Sequence, residues 1–283
     1  MLDYLFLIPT SPNLTEGSLR KDLQKLCFQQ VAALNSTFVV WLLGDAEIDH
    51  PHFKSIDCKG TSKEEKLKEA GDQLAKLPRL AKYLIRLDDD DLINPLVFDE
   101  MASREVDIAY DRKHFFYDLA TDLASSQKRN WIPNTAIMNY QKAMTVVDAR
   151  SLSAGTERSR SAAEGSRSAD TERSRSVAED GKNYLFACDH SRAWHPFFQG
   201  TQVVHPKEPI YARILNPESI TASASGEFSE NNYFRYLQGF GKWKAALPES
   251  LEPLKPEIMK IRQKHFGAPL NFKPKRGLFS RLK

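Results

Sequence analysis

Blocks of apolar and polar residues alternate through the first hundred positions of the chain. Tyr4 to Ile8 (YLFLI) has the length and all-apolar character of a strand buried on both faces, closed by Pro9. Leu19, Leu23, Leu26, Cys27, Val31 and Leu34 then recur at helical spacing and predict an amphipathic helix. Phe38 to Leu43 (FVVWLL) predicts a second buried strand, ended by Gly44-Asp45, and Phe53 to Cys58 a weaker third. Ser62 and Glu65 have capping-box spacing ahead of a helix whose apolar stripe is Leu67, Ala70, Leu74 and Leu77. Tyr83, Leu84, Ile85 and Leu87 form the next strand, and Asn94-Pro95 reads as an N-cap with proline at the first helical position. Strands alternating with helices predict a mostly parallel sheet with helices on both faces.

After Asp107 the pattern changes. Asp107 to Leu119 (DIAYDRKHFFYDL) reads as a hairpin, and Asn134 to Tyr140 (NTAIMNY) as another strand. An α/β half followed by a mixed half suggests one side for a nucleotide-bearing donor and one for an acceptor. Ser151 to Gly181 is an imperfect repeat with Thr156/Thr171, Glu157/Glu172, Arg158/Arg173 and Ser161/Ser176 in step, and its only large apolar residues are Leu152 and Val177. Burial cannot offset its ordering entropy, so residues 151–181 are expected to be a flexible insert. From Gly226 to Lys283 an aromatic-rich, helical extension ends in a basic stretch, giving two units, 1–225 and 226–283.

Composition adds limits. The 283 residues are 41% hydrophobic, enough for a substantial core, and the formal net charge of +3 points to no particular partner. Cys27, Cys58 and Cys188 form neither a CxxC pattern nor a disulfide framework, which favours a reducing compartment. The apolar run before Pro9 is too short for a signal-peptide core, so a cytoplasmic protein is expected. The arginines of the repeat are offset by Glu157, Glu164, Asp170, Glu172, Glu179 and Asp180, so no nucleic-acid partner is expected. Beyond Glu257 the chain has no acidic residue, and Lys273, Lys275, Arg276, Arg281 and Lys283 surround Leu278 and Phe279. Such an end suits either peripheral contact with the anionic inner face of a membrane or a solvated tail.

The strand Tyr83 to Leu87 runs into Asp88, Asp89, Asp90 and Asp91. Adjacent carboxylates raise one another's pKa unless a cation sits among them. A solvated acidic turn is one reading. The other follows from position: the block lies at the carboxyl end of a strand and just before a helix, where open α/β sheets bind ligands. Oxygen ligands so crowded suit Mg²⁺ or Mn²⁺.

The block also resembles the strand-end motif of family-two glycosyltransferases, Leu-Asp-x-Asp-Asp followed by Pro, with Asp89 in the variable place. Glu208 to Thr221 (EPIYARILNPESIT) resembles that family's late strand and loop, and Phe186 to Trp194 (FACDHSRAW) its acidic pair at a helix start. The start RLDDDD is similar to a bacterial rhamnosyltransferase subgroup. The resemblance spans Met1 to Ser225 and implies a GT-A fold, that is, a Rossmann-like, mixed but mostly parallel sheet. It implies transfer of a sugar, a hexosyl or deoxyhexosyl group, from a nucleotide-diphosphate donor to a glycan or lipid-linked acceptor. Asp90 and Asp91 would then hold the metal, Mn²⁺ or Mg²⁺, and Asp88 and Asp89 would face the donor. Asp189 would be the base of an inverting transfer. Pro9, Thr10, Ser11, Asp45 and Asp57 are candidate nucleotide contacts, Arg86 and Arg213 could each touch phosphate or pair with the acidic block, and Arg213, Asn216 and Ser219 are candidate late-loop contacts.

This sequence departs from the family in two places. Asn216 stands near where many relatives carry a metal-side histidine, with His205 an alternative, and Cys188 replaces the first member of the acidic pair. A sugar-phosphate nucleotidyltransferase would carry a Gly-rich basic loop after the first strand, where PTSPNLTEGSLRKD has one glycine. A haloacid-dehalogenase phosphatase needs paired aspartates in that strand, which Leu2-Asp3 does not supply. A non-catalytic binding protein that keeps the fold is the remaining alternative.

Overall fold

The computed structural model describes residues 1–12, 14–46, 48–128, 133–147, 183–188, 197–217, 230–244 and 247–272. The Asp189, Ser219, insert and basic-tail expectations lie outside those residues. In chain order the elements are β1 (Leu2–Pro9), α1 (Leu19–Ala32), β2 (Phe38–Leu43), β3 (Phe53–Ile56), α2 (Lys63–Leu74), β4 (Ala81–Arg86), β5 (Leu92–Ile93) and α3 (Pro95–Ala102). There follow β6 (Ile108–Ala109), β7 (Lys113–Asp118), β8 (Leu123–Lys128), β9 (Ile137–Asn139), α4 (Tyr140–Ala143), β10 (Val146–Val147) and β11 (Asn183–Tyr184). The chain continues with β12 (Val203–Val204), β13 (Tyr211–Leu215), α5 (Glu230–Gln238), β14 (Trp243–Lys244) and α6 (Lys255–Phe266).

The first sheet has the order β12-β6-β9-β4-β1-β2-β3, and β9 alone runs against its neighbours. The apolar run of β1 feeds two cores, because successive side chains point to opposite faces. Tyr4, Phe6 and Ile8 pack with Cys27, Phe28 and Val31 of α1 and with Val97, Phe98 and Met101 of α3. Leu5 and Leu7 pack on the other face with Leu67, Ala70 and Leu74 of α2. The chain moves outward from β1 to β2 and β3, then returns through α2 to β4 on the opposite side of β1. Strand order therefore reverses between β1 and β4, which opens a crevice at their carboxyl ends. The expected Rossmann-like, mixed but mostly parallel α/β layout is what forms.

A second sheet, β14-β8-β7-β13-β5, starts where the acidic block ends, since β5 follows it directly. Here the sequence expectation needs correction. Residues 107–119 are not a hairpin: β6 pairs with β9 and β12 in the first sheet, while β7 pairs with β8 in the second. The turn between β7 and β8 contains Asp122 at φ 55, and the alternation of β8 (LASSQK) is hidden by its small residues. Asn183–Tyr184 forms β11, and Leu185–Ala187 follows it as a 3-10 turn. Leu77 falls past the end of α2 and is exposed.

The residues after 230 complete both layers. β14 adds an edge to the second sheet, and Leu247, Leu251 and Ile258 pack against Leu19, Leu23 and Leu26 of α1. Among the described residues no helix is long and apolar enough to cross a membrane. On the other side of the molecule, β10 and β11 pair antiparallel, and the Tyr184 ring packs on α2 at Gly71 with its hydroxyl donating to Asp72 at 3.0 Å. A Cβ at Gly71 would come within 2.2 Å of that ring, so only glycine admits the contact.

Asp111 ties the two sheets together. It lies between β6 and β7 at 5% exposure, and both its oxygens accept from the Ile210 N–H at 3.0 Å. Burial pushes its carboxyl up to about 7. A carboxyl raised in the folded state contributes stability fully below its unfolded value and loses that contribution as pH rises through the folded value. Asp111→Asn keeps an acceptor for Ile210 but cannot ionise. Its stability relative to wild type should therefore increase from about pH 4 to about pH 8, by up to about 4 kcal/mol or roughly 8–16 °C in Tm, since each pKa unit is worth about 1.4 kcal/mol. Thermal melts across that range test this, and a difference that does not change with pH would refute it.

Candidate active site

The acidic block is a β-turn in the crevice, closed by the Asp91 N–H donating to the Asp88 carbonyl at 3.2 Å. Its side chains alternate in exposure. Asp89 and Asp91 point inward at 0% and 2% exposure, whereas the Asp88 and Asp90 side chains keep 20% and 13%. Asp89 accepts from the Ser11 N–H at 3.2 Å, from Gln24 Nε2 at 2.9 Å and from Arg20 Nη2. Asp91 accepts from the Ile214 N–H at 3.2 Å, while its Oδ2 is buried with no hydrogen-bond partner among the described residues. Asp90 receives Arg20 Nη1 at 2.7 Å. Asp88 is ion-paired with Lys63 and accepts from Asn134 Nδ2 at 3.0 Å.

This arrangement answers the repulsion that the sequence implies, and answers it unevenly. Burial pushes the Asp88 carboxyl up, but Lys63 and Arg86 outweigh it and hold it well below the usual carboxylate range. Burial also pushes Asp90 up, and the like charges of Asp88 and Asp89 add to it, so that Asp90 reaches about 6 despite Arg20. Asp91 is raised well above its ordinary value, first by burial and then by Asp90 and Asp88. Arg213, one residue before Ile214 on β13, pulls in the opposite direction on Asp91.

Two sequence expectations change accordingly. Asp89, placed with the donor-facing residues, is an internal anchor with no access to a ligand. Asp91, placed with the metal ligands, is turned against β13, so the outward pair is Asp88 and Asp90. The reason is geometric: in so tight a turn, four neighbouring carboxylates cannot all face one side.

The flanking elements bring further groups to the crevice. Ser18 caps α1, accepting from the Lys21 N–H at 3.3 Å, and Arg20 and Gln24, one turn apart, both reach Asp89. Ser62 and Glu65 form the expected capping box, which sets Lys63 at the first position of α2. Lys66 Nζ donates to the Thr10 carbonyl at 2.8 Å. Gly44, at φ 131, lies against both: a Cβ there would be 2.7 Å from Thr10 Oγ1 and 2.9 Å from Lys66 Nζ. Thr10 is buried and Ser11 half-buried at the end of β1, beside Pro9. Asp45 and Asp57 are exposed beyond the ends of β2 and β3.

Arg86 does not face a ligand. It is 2% exposed, and its Nη1 donates to the carbonyls of Cys188 at 3.1 Å and Phe186 at 3.4 Å. Its Nη2 donates to Asn134 Oδ1 at 3.2 Å, and Asn134 in turn holds Asp88. Arg86 thus ties the acidic turn to the segment that ends immediately before Asp189. Asn216 is buried just beyond β13. His205 sits past edge strand β12, its ring edge-on to Tyr110. Three strand spacings, roughly 14 Å, separate β12 from β4, too far for His205 to share a metal with the block. Arg20, Gln24, Lys63, Lys66 and Asn134 were not legible as site residues. The one available signal was that Arg20 and Lys63 follow capping serines at helix starts.

Among the described residues no group of three or more His, Cys, Asp or Glu side chains is placed to hold a metal. The donor set fits a hard cation of another kind, held by one or two carboxylates and completed by phosphate and water. Asp90 Oδ1 has no hydrogen bond among the described residues, and Asp88 stands beside it.

No family model matches the sequence, and no curated protein matches it. Among solved structures, the crystal structure of TarS 1-349 from S. aureus is similar over 84% of this chain and 70% of that one, at 11% identity with a TM-score of 0.41. So distant a likeness carries no functional argument.

The inward and outward aspartates should respond oppositely to truncation. Asp89→Ala removes the acceptor of three bonds and should cost about 2–4 kcal/mol, within the range for breaking a buried, charged network. Asp90→Ala relieves repulsion at a partly solvated site and should be neutral or stabilising. Urea denaturation of the two variants measures the difference, and the reverse ranking would contradict this division of the turn.

Proposed function

We propose that the chain is a glycosyltransferase that takes a hexosyl or deoxyhexosyl group from a nucleotide-diphosphate sugar to a hydroxyl of a glycan or lipid-linked acceptor. The observation that carries this reading is the outward pair Asp88 and Asp90, set at the strand-order reversal and ringed by Arg20, Lys63 and Arg213. A site of that kind pairs acidic groups suited to Mg²⁺ or Mn²⁺ with cations suited to a diphosphate. A bound divalent ion would supply charge neutralisation to the leaving diphosphate. Asp90 and Asp88 are the residues we assign to hold it. Pro9, Thr10, Ser11 and Asp45 on the β1–β2 side would receive the nucleoside, and Lys63, at the first turn of α2, would favour the phosphates. Arg213 lies on β13, which we assign to the acceptor side, and Asn216 and Ser219 follow it in sequence.

Asp189 is assigned as the base that takes the acceptor proton in an inverting transfer. Arg86 supports that assignment indirectly, since it anchors the backbone up to Cys188. The basic stretch after Phe272 is assigned to peripheral contact with an anionic membrane on the cytoplasmic side. A second reading, a binding protein without transfer activity, draws on one observation: both outward carboxylates are already ion-paired within the chain.

A screen of nucleotide sugars with Mn²⁺ or Mg²⁺, reading released nucleoside diphosphate, tests the reading. Release in the presence of a metal supports a transferase, and donor binding without release supports the second reading. Asp90→Ala should abolish metal-dependent donor binding in calorimetry while the thermal melt stays cooperative. Asp189→Asn should keep donor binding and lose transfer by about 10²–10⁴-fold, the usual contribution of a general base. Wild-type transfer by Asp189→Asn would move the base elsewhere.

A further inference from the structure

We infer that Arg20 is a resident counter-ion that a divalent cation must displace from Asp90, so that α1 controls metal loading of the acidic turn. This rests on the metal reading above and gives Arg20, there one of three cations around the pair, a role of its own. The Arg20 guanidinium bridges two carboxylates of unequal character. Nη2 bonds Asp89, which is fully buried and also held by Ser11 and Gln24. Nη1 bonds Asp90 at 2.7 Å, and Asp90 reaches solvent. A bond to a buried carboxylate has no water to exchange with, whereas a bond at the mouth does. Asp89 is therefore the tether, and the Asp90 contact is the one that opens.

The geometry of the other outward carboxylate strengthens the contrast. Both Asp88 oxygens are engaged, by Lys63 and by Asn134, and lysine is a mobile point charge on a flexible stem. Arg20 presents a rigid fork, and its side chain is 32% exposed, which leaves it a way out toward solvent. A divalent cation at Asp90 would sit beside this guanidinium, and like charges a few ångströms apart repel strongly in a partly buried site. With Arg20 in place, the free protein should bind a divalent ion weakly. A phosphate-bearing ligand offers the guanidinium another anion, which would release Asp90, so donor and metal should each favour the other's binding.

The test is Mn²⁺ binding to the full chain without nucleotide, followed by the paramagnetic resonance signal of free Mn²⁺. Wild type is compared with Arg20→Gln and with Arg20→Lys, which keeps a charge on Asp89 but cannot bridge both carboxylates. The expected result is at least about tenfold tighter Mn²⁺ binding in Arg20→Gln, with Arg20→Lys between it and wild type. The gain should disappear in the double variant Arg20→Gln/Asp90→Ala. Should Arg20→Gln fail to fold, Arg20→Lys alone decides the matter. Equal or weaker Mn²⁺ binding in folded variants overturns the role of Arg20 and leaves the metal reading standing. If wild type and variants alike bind no Mn²⁺, the metal reading falls and this inference with it.

Discussion

One buried carboxylate, Asp89, fixes the geometry of the crevice. A carboxylate removed from water must be met by donors, and these come from separate parts of the chain: the backbone of Ser11 after β1, and Gln24 and Arg20 from one face of α1. The end of β1, the first turns of α1 and the turn after β4 therefore move together or not at all. Thr10 is held from the other side by Leu43 and Lys66, so the loop leaving β1 has little freedom of its own. Because Asp89 and Asp91 are committed inward, Asp88 and Asp90 are left to face the crevice. What looks in sequence like one acidic cluster is in space an anchor and a mouth.

The division also sets how much charge the mouth carries. Asp88 lies below the ordinary carboxylate range and Asp90 above it, although a single residue separates them and both touch solvent. The difference comes from their partners: Lys63 and Arg86 act on Asp88, whereas Asp90 shares its single guanidinium with Asp89. An acidic mouth so arranged can face an anionic ligand, because Arg20 and Lys63, which pair with its two aspartates, stand at the same opening. The same pairing makes the turn compact before any ligand arrives.

Most of the first sheet could be read from the sequence because its strands are buried on both faces and its helices carry unambiguous caps. YLFLI, FVVWLL and the Ser62–Glu65 box each have one structural solution. The second sheet was less legible. β5 and β14 are two residues each, too short for any period to show, and β8 hides its alternation in Ala124, Ser125 and Ser126. At the site, the acidic turn announced itself through adjacent like charges, and its location at a strand end was correctly inferred. The roles within it were not. Which aspartate faces inward depends on donors from α1 and β13, and those are tertiary contacts spanning from 65 to 123 residues. Arg86 acts on the acidic block, as one of its two readings allowed, but its hydrogen-bond partners are Asn134 and two backbone carbonyls, and a carbonyl has no sequence signature.

The short ladder of β10 and β11 has a consequence for how this chain can vary. Val147 and Asn183 are paired across it, and the Tyr184 ring is seated on Gly71, so the two ends of the intervening segment are brought together by the body of the protein. Closing a loop between ends already in register costs only about 0.6 kcal/mol for each doubling of its length. The junction therefore behaves as a splice port. Sequence can accumulate, duplicate or be exchanged there while the paired ends hold their register, and a duplicated stretch such as the Thr-Glu-Arg-Ser-Arg-Ser repeat is the kind of growth such a port admits.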